Sequence, residues 1–132
     1  MIIDDSELHL FHTKSMIKKS HLAGQVETFN SPVTALEQLH SIENHHDKFP
    51  NVIFLDIHMP LMNGFDFLDE YLEFSDSTRE HCEIVMVSST DSGEDFERAS
   101  SYPFIHKFIS KPLTPEKLNN IKLFWGNNRM RA

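Results

Sequence analysis

Short apolar runs alternate with longer amphipathic stretches along the chain. The short runs fall at residues 1–3, 25–29, 52–55, 84–87 and 104–109, and the middle ones are continuous and β-branched. Strands covered on both faces read this way, because neither side of the pleat meets water. Between them the apolar positions take helical spacing, and the helix starts are marked. Ser6 stands before Leu8, Leu10 and Phe11; Ser31-Pro32 before Ala35, Leu36 and Leu39; Asp91 pairs with Glu94 as a capping box; Thr114-Pro115-Glu116 stands before Leu118 and Ile121. Such residues satisfy, or do without, the first-turn N–H groups that lack partners inside a helix. A further helix is predicted from about residue 65 to 74. Five strands and five helices in strict alternation predict an α/β fold: a doubly wound, five-stranded parallel sheet with right-handed crossovers. The first strand has only three residues before Asp4, short for a central strand, so either the chain starts upstream or this strand is unusually short.

The polar residues that end these runs carry the chemistry. Ile2-Ile3 leads into Asp4-Asp5, Ile53-Phe54-Leu55 into Asp56, Val85-Met86-Val87 into Ser88-Ser89, and Phe108-Ile109-Ser110 into Lys111-Pro112. In an open parallel sheet the carboxyl ends of the strands share one edge, and ligands bind there where strand order reverses. With the flavodoxin-like order 2-1-3-4-5, that point lies between the first and third strands and gathers Asp4, Asp5 and Asp56. Such a cluster repels itself and calls for a cation. Oxygen ligands on a partly hydrated rim suit Mg²⁺, with Lys111 as a second positive charge and the Ser88 hydroxyl as a neutral donor. Any one of these residues alone reads as a cap, a turn or a loop lysine. Their joint placement at four strand ends describes a phosphotransfer site.

Composition narrows the partners. The chain has 132 residues, 39% of them hydrophobic, enough for one domain, expected over 1–125 with a short tail at 126–132 and no output domain. A net charge of −8 opposes binding to a phosphate backbone, so no direct nucleic-acid partner is expected. No apolar run is long enough to span a bilayer and no secretory pattern opens the chain, so a soluble, cytoplasmic protein is expected. Cys82 is alone and is read as a small buried side chain. The nine histidines show no metal-ligand spacing and are read as solvated or half-buried.

The segment Phe54-Leu55-Asp56-Ile57-His58-Met59-Pro60-Leu61-Met62-Asn63-Gly64 resembles the signature around the phospho-accepting aspartate of response-regulator receiver domains, the CheY-like family. Together with Asp4-Asp5, Ser88-Ser89 and Lys111-Pro112, the resemblance runs from Ile2 to about Trp125. It implies that Asp56 is the nucleophile and phosphoacceptor. Mg²⁺ would be held by Asp5, Asp56 and the backbone carbonyl of His58, with Asp4 acting directly or through water. Lys111, Ser88 and the Ser89 backbone would bind the phosphoryl group, Ser88 and Phe108 would be the switch pair, and His58 and Thr90 would tune the lifetime of the phosphorylated state. The resemblance further implies a cis Lys111-Pro112 peptide, and a signalling switch that assists its own phosphorylation and dephosphorylation without being an enzyme.

It also implies a phosphohistidine donor, on a sensor histidine kinase or a histidine phosphotransfer protein, and an output face over 91–125 for an unknown downstream protein. Tyr102, Phe104 and Trp125 on that face are read either as partner anchors or as core. Two other classes remain open: a receiver-like binding module that never accepts phosphate, and a small hydrolase of the haloacid dehalogenase type. The hydrolase motif needs a second aspartate two places after the nucleophile, where this chain has His58.

Overall fold

The computed structural model describes residues 1–89 and 93–121, apart from the side chain of His106. β1 (Ile2–Ile3), β2 (Thr28–Phe29), β3 (Val52–Asp56), β4 (Glu83–Ser88) and β5 (Ile105–Ser110) form one parallel sheet in the expected order, β2-β1-β3-β4-β5. The helices are α1 (Glu7–Lys19), α2 (Pro32–Ser41), α3 (Gly64–Tyr71), α4 (Asp76–Glu80) and α5 (Gly93–Ala99), followed by α6 at residues 115–121.

Alternation along β3 and β4 divides the core between two faces. Ile53, Leu55, Ile84 and Met86 pack with Leu39, Phe67, Leu68 and Ala99 of α2, α3 and α5. Phe54, Val85 and Val87 pack on the other side with Leu10 and Ile17 of α1 and Leu118 and Ile121 of α6. Both faces of the sheet are therefore covered, which is why its strands read as continuous apolar runs.

The structure departs from strict alternation at one place, where α4 intervenes between α3 and β4. The helix expected over 65–74 stops at Tyr71, and Ser75 caps a new five-residue helix by accepting the Thr78 N–H at 3.3 Å. Buried Thr78 then donates to the Glu43 carbonyl at 3.0 Å and anchors this helix to the chain after α2. So short a helix has no room for an apolar period. β1 and β2 are also shorter than expected, two residues each. Beneath their amino ends lies a cavity of about 850 Å³ whose lining includes Met1, Ile17, Leu22, Val26, Phe49 and Val52, at the edge opposite the acidic residues.

The caps are partly as expected. Ser6 Oγ accepts the His9 N–H at 3.3 Å and Thr114 Oγ1 accepts the Lys117 N–H at 3.2 Å, whereas Ser31 makes no side-chain cap and leaves the start of α2 to Pro32. Asp91 lies outside the described residues. A capping box that the apolar pattern did not mark joins Asn63 and Asp66 at the start of α3. There Gly64 donates its N–H to the Ile57 carbonyl at 2.8 Å, and a Cβ at this position would stand 2.7 Å from the Asp56 carbonyl oxygen and 2.9 Å from Ile57 Cα. Helix and strand backbone touch here, and only glycine permits it.

Gly64→Ala is accordingly expected to destabilise the fold by about 1–3 kcal/mol, the usual cost of forcing atoms into a filled space. Thermal unfolding measures this as a lower Tm; an unchanged Tm would contradict the close approach.

Candidate functional site

The register of the sheet fixes the site. Ile3 pairs with Leu55, so the residues that follow, Asp4 and Asp56, leave adjoining strands at the same level. Asp56 pairs in turn with Val87, and Ser88 with Ser110, which places Lys111 one step beyond the end of β5. One carboxylate oxygen each from Asp4, Asp5 and Asp56 lies within 4.8 Å of the others. Asp4 and Asp56 are 3% and 4% exposed, while Asp5 faces solvent.

Lys111 closes the cluster from the far side of β4. Its backbone N–H donates to the Ser88 carbonyl at 2.7 Å, and the peptide to Pro112 is cis. Its ammonium donates to Asp4 Oδ2 at 2.8 Å and stands 3.1 Å from Asp56 Oδ1. Asp4 is further fixed because its Oδ1 accepts the Ser6 N–H at 2.9 Å. Burial, and after it the Asp4 charge, pushes the Asp56 carboxyl above its ordinary pKa; Lys111 pulls it back in part, and Asp5 adds a small upward push. Two of the three carboxylates contact one ammonium, and the donor set is all oxygen with the Asp5 side open to solvent. Such a set fits a hard divalent cation such as Mg²⁺.

Ser88, Ser89 and His58 lie near this cluster, at or just beyond the ends of β3 and β4. Ser88 is fully buried at the end of β4, and Ser89 is exposed beside Lys111; Ser89 and Lys111 line a niche of about 250 Å³ with His9, His12, Thr13 and Pro112 as further walls. That lining belongs to Ser89 and Lys111, with Ser88 behind them in the sheet. Phe108 is half-buried, and its ring meets that of Phe96 edge-on at 5.7 Å. His58 lies in the loop after Asp56, and its Nε2 is 3.1 Å from Asp95 Oδ2 on α5. Thr90 and Trp125 lie outside the described residues.

Tyr102 and Phe104 are half-buried and pack on the α2/α3/α5 core, Tyr102 also donating its hydroxyl to Asp69 Oδ1 at 2.7 Å. Cys82 is buried, and that burial pushes its thiol up to about 12, as befits an inert core side chain. The sequence reading missed two contacts. Lys111 Nζ lies 3.0 Å from His9 Nδ1, and Asp95 engages His58. Ser6 marks the first turn of α1 and hence the level of His9, but no pattern shows which way an isolated histidine turns.

Residues 1–122 match the family model described as the response regulator receiver domain. The chain belongs to this family. The receiver superimposes on a two-component response regulator from Cytophaga hutchinsonii with a TM-score of 0.86, at 25% identity over 96% of this chain and 94% of that one. A response regulator receiver protein from Dyadobacter fermentans gives 0.80, at 33% identity and 94% coverage of each. Among curated proteins, a protein-glutamate methylesterase/protein-glutamine glutaminase of Burkholderia thailandensis is 32% identical over 113 residues, 85% of the receiver but only 28% of that protein's length. Among the described residues no helix is long and apolar enough to cross a membrane.

The electrostatics of the site give a prediction. An acid whose folded-state pKa is raised binds more protons folded than unfolded between its two pKa values, so stability falls as pH rises through that interval. In buffer with a chelator, Asp56→Asn is expected to raise Tm at neutral pH by roughly 2–8 °C, the span that about 1 kcal/mol covers in small domains. It should also shrink the stability that the unaltered receiver gains on mild acidification. A lower Tm for the variant would contradict the crowding of charge around Asp56.

Proposed function

We propose that this receiver is a phosphorylation switch in which Asp56 accepts a phosphoryl group from a phosphohistidine on a sensor histidine kinase or histidine phosphotransfer protein. The observation that carries the proposal is the placement of Asp56 beside two other carboxylates with the Lys111 ammonium 3.1 Å from its Oδ1. An Asp56 oxygen forms the new bond to phosphorus as the P–N bond to the donor imidazole breaks, and the electron pair of that bond stays on the imidazole. Such transfers depend on position and charge neutralisation more than on a strong nucleophile. Lys111 supplies one positive charge to the phosphoryl oxygens. Asp5, Asp56 and the His58 backbone carbonyl, with Asp4 direct or through water, would hold a Mg²⁺ ion that would supply the rest.

In this reading Ser88 and the Ser89 backbone bind the phosphoryl group, and His58 and Thr90 set its lifetime. His58 is drawn toward α5 by Asp95, which bears on how open one side of the site is to water. Ser88 and Phe108 form the switch: a change at Ser88 reaches Phe108 along neighbouring strands, and the Phe96 ring in contact with Phe108 is 60% exposed. The signal then leaves through the face of 91–125 to a downstream protein. Leu8 and Phe11, each about three-quarters exposed on the helix that carries His9, offer apolar surface to the donor protein.

Incubation with acetyl phosphate and Mg²⁺, followed by intact mass measurement, tests the proposal. A gain of one phosphoryl group is expected, absent in Asp56→Asn and in the presence of EDTA. A chain that gains none would be a receiver-like binding module, and one that releases phosphate catalytically from many small esters would be a hydrolase; either result would overturn the switch.

A further inference from the structure

An ammonium has three N–H donors and no acceptor. Three acceptors surround the Lys111 Nζ: Asp4 Oδ2 at 2.8 Å, His9 Nδ1 at 3.0 Å and Asp56 Oδ1 at 3.1 Å. Asp4 and His9 are its hydrogen-bond partners and Asp56 its second ion-pair partner, so the imidazole is the one contact that is not a carboxylate. His9 Nδ1 lies 3.7 Å from Asp4 Oδ2, too far for a hydrogen bond, so the lysine contact is what orients the ring. To accept from an ammonium, Nδ1 must carry the lone pair, which leaves the ring proton on Nε2.

We infer that His9 is a positioning residue for phosphoryl transfer: it takes the Lys111 donor that neither carboxylate takes, and it is the partner that Lys111 releases when a phosphoryl oxygen arrives. This rests on the reading of Asp56 as phosphoacceptor. The phosphoryl group needs an N–H from Lys111. Drawing it from Asp4, whose side chain is 5% exposed, strips a buried carboxylate of a charge-assisted bond. Drawing it from His9, whose side chain is 46% exposed, leaves a neutral nitrogen that water reaches at small cost. Until that moment the imidazole occupies that donor and holds the ammonium over Asp56, where water would leave it freer to swing into the niche beside α1.

The test compares His9→Ala, which removes the acceptor, with His9→Asn, whose Oδ1 replaces it. His9 is on a helix surface, where neither change disturbs the core, and equal Tm values confirm this. With acetyl phosphate at saturating Mg²⁺, His9→Ala is expected to lower the limiting phosphorylation rate roughly three- to ten-fold, the effect of one hydrogen bond, with little change in the half-saturating donor concentration. His9→Asn should stay within roughly two-fold of the unaltered receiver. The Lys111 ζ-ammonium NMR signal reports the contact independently: slow proton exchange in the unaltered receiver and His9→Asn, fast in His9→Ala. Unchanged rate and exchange in His9→Ala, or His9→Asn as impaired as His9→Ala, would overturn the inference. If the unaltered receiver takes up no phosphoryl group, the reading of Asp56 fails instead, and the exchange rates still decide the contact.

Discussion

One ammonium group ties the carboxyl edge of the sheet together. Asp4 and Asp56 leave adjoining strands at the same level, both almost wholly buried, and burial together with the Asp4 charge raises the cost of ionising Asp56. Two unit charges about 4 Å apart repel by roughly 4 kcal/mol at an effective dielectric of 20. β4 separates β3 from β5, so the lysine that relieves this repulsion must reach across the end of a whole strand. It does so from a backbone position fixed by the 2.7 Å bond to the Ser88 carbonyl. Asp4 just after β1, Asp56 at the end of β3 and Lys111 just beyond β5 are therefore one electrostatic unit braced by Ser88 of β4, and a change of charge at any of the three is felt by the others.

Much of this unit is legible in the sequence because each apolar run stops at a polar residue of a different chemical kind. Parallel pairing then aligns those stops on one edge without further information. The strand limits were legible only to within about three residues: an apolar-run reading starts β2 at residue 25 instead of Thr28 and cuts off Asp56, Glu83, Ser88 and Ser110, which are paired in the sheet. Helical spacing shows which residues share a face but not which face is covered. On α1 the buried stripe is Leu10, Thr13 and Ile17, and Leu8 and Phe11, which look like core in the sequence, are exposed. The reverse holds for Tyr102 and Phe104, open to either reading and found half-buried on the core. His9 was hidden for the same reason. Its approach to Lys111 joins residues 102 positions apart, a distance that no local pattern spans.

The same geometry gives the proposed switch its economy. Toward β4, β5 and α5 the surroundings of the acidic cluster include the Lys111 backbone bond to β4, the His58 contact with Asp95 of α5, and the strand pairing that leads from Ser88 toward Phe108 and the exposed Phe96. A phosphoryl group on Asp56 adds negative charge where the balance is already strained, so the response is directed by the positions of the few partners that can answer it.

The central claim, that Lys111 and Asp56 are coupled through a buried charge pair, is tested most directly by a double-mutant cycle. Chemical denaturation of the unaltered receiver, Lys111→Met, Asp56→Asn and the double variant in chelated buffer gives the coupling free energy. The account predicts that Lys111→Met costs about 1–3 kcal/mol more when Asp56 is present than when it is asparagine. Additive effects, with coupling below about 0.5 kcal/mol, would contradict it.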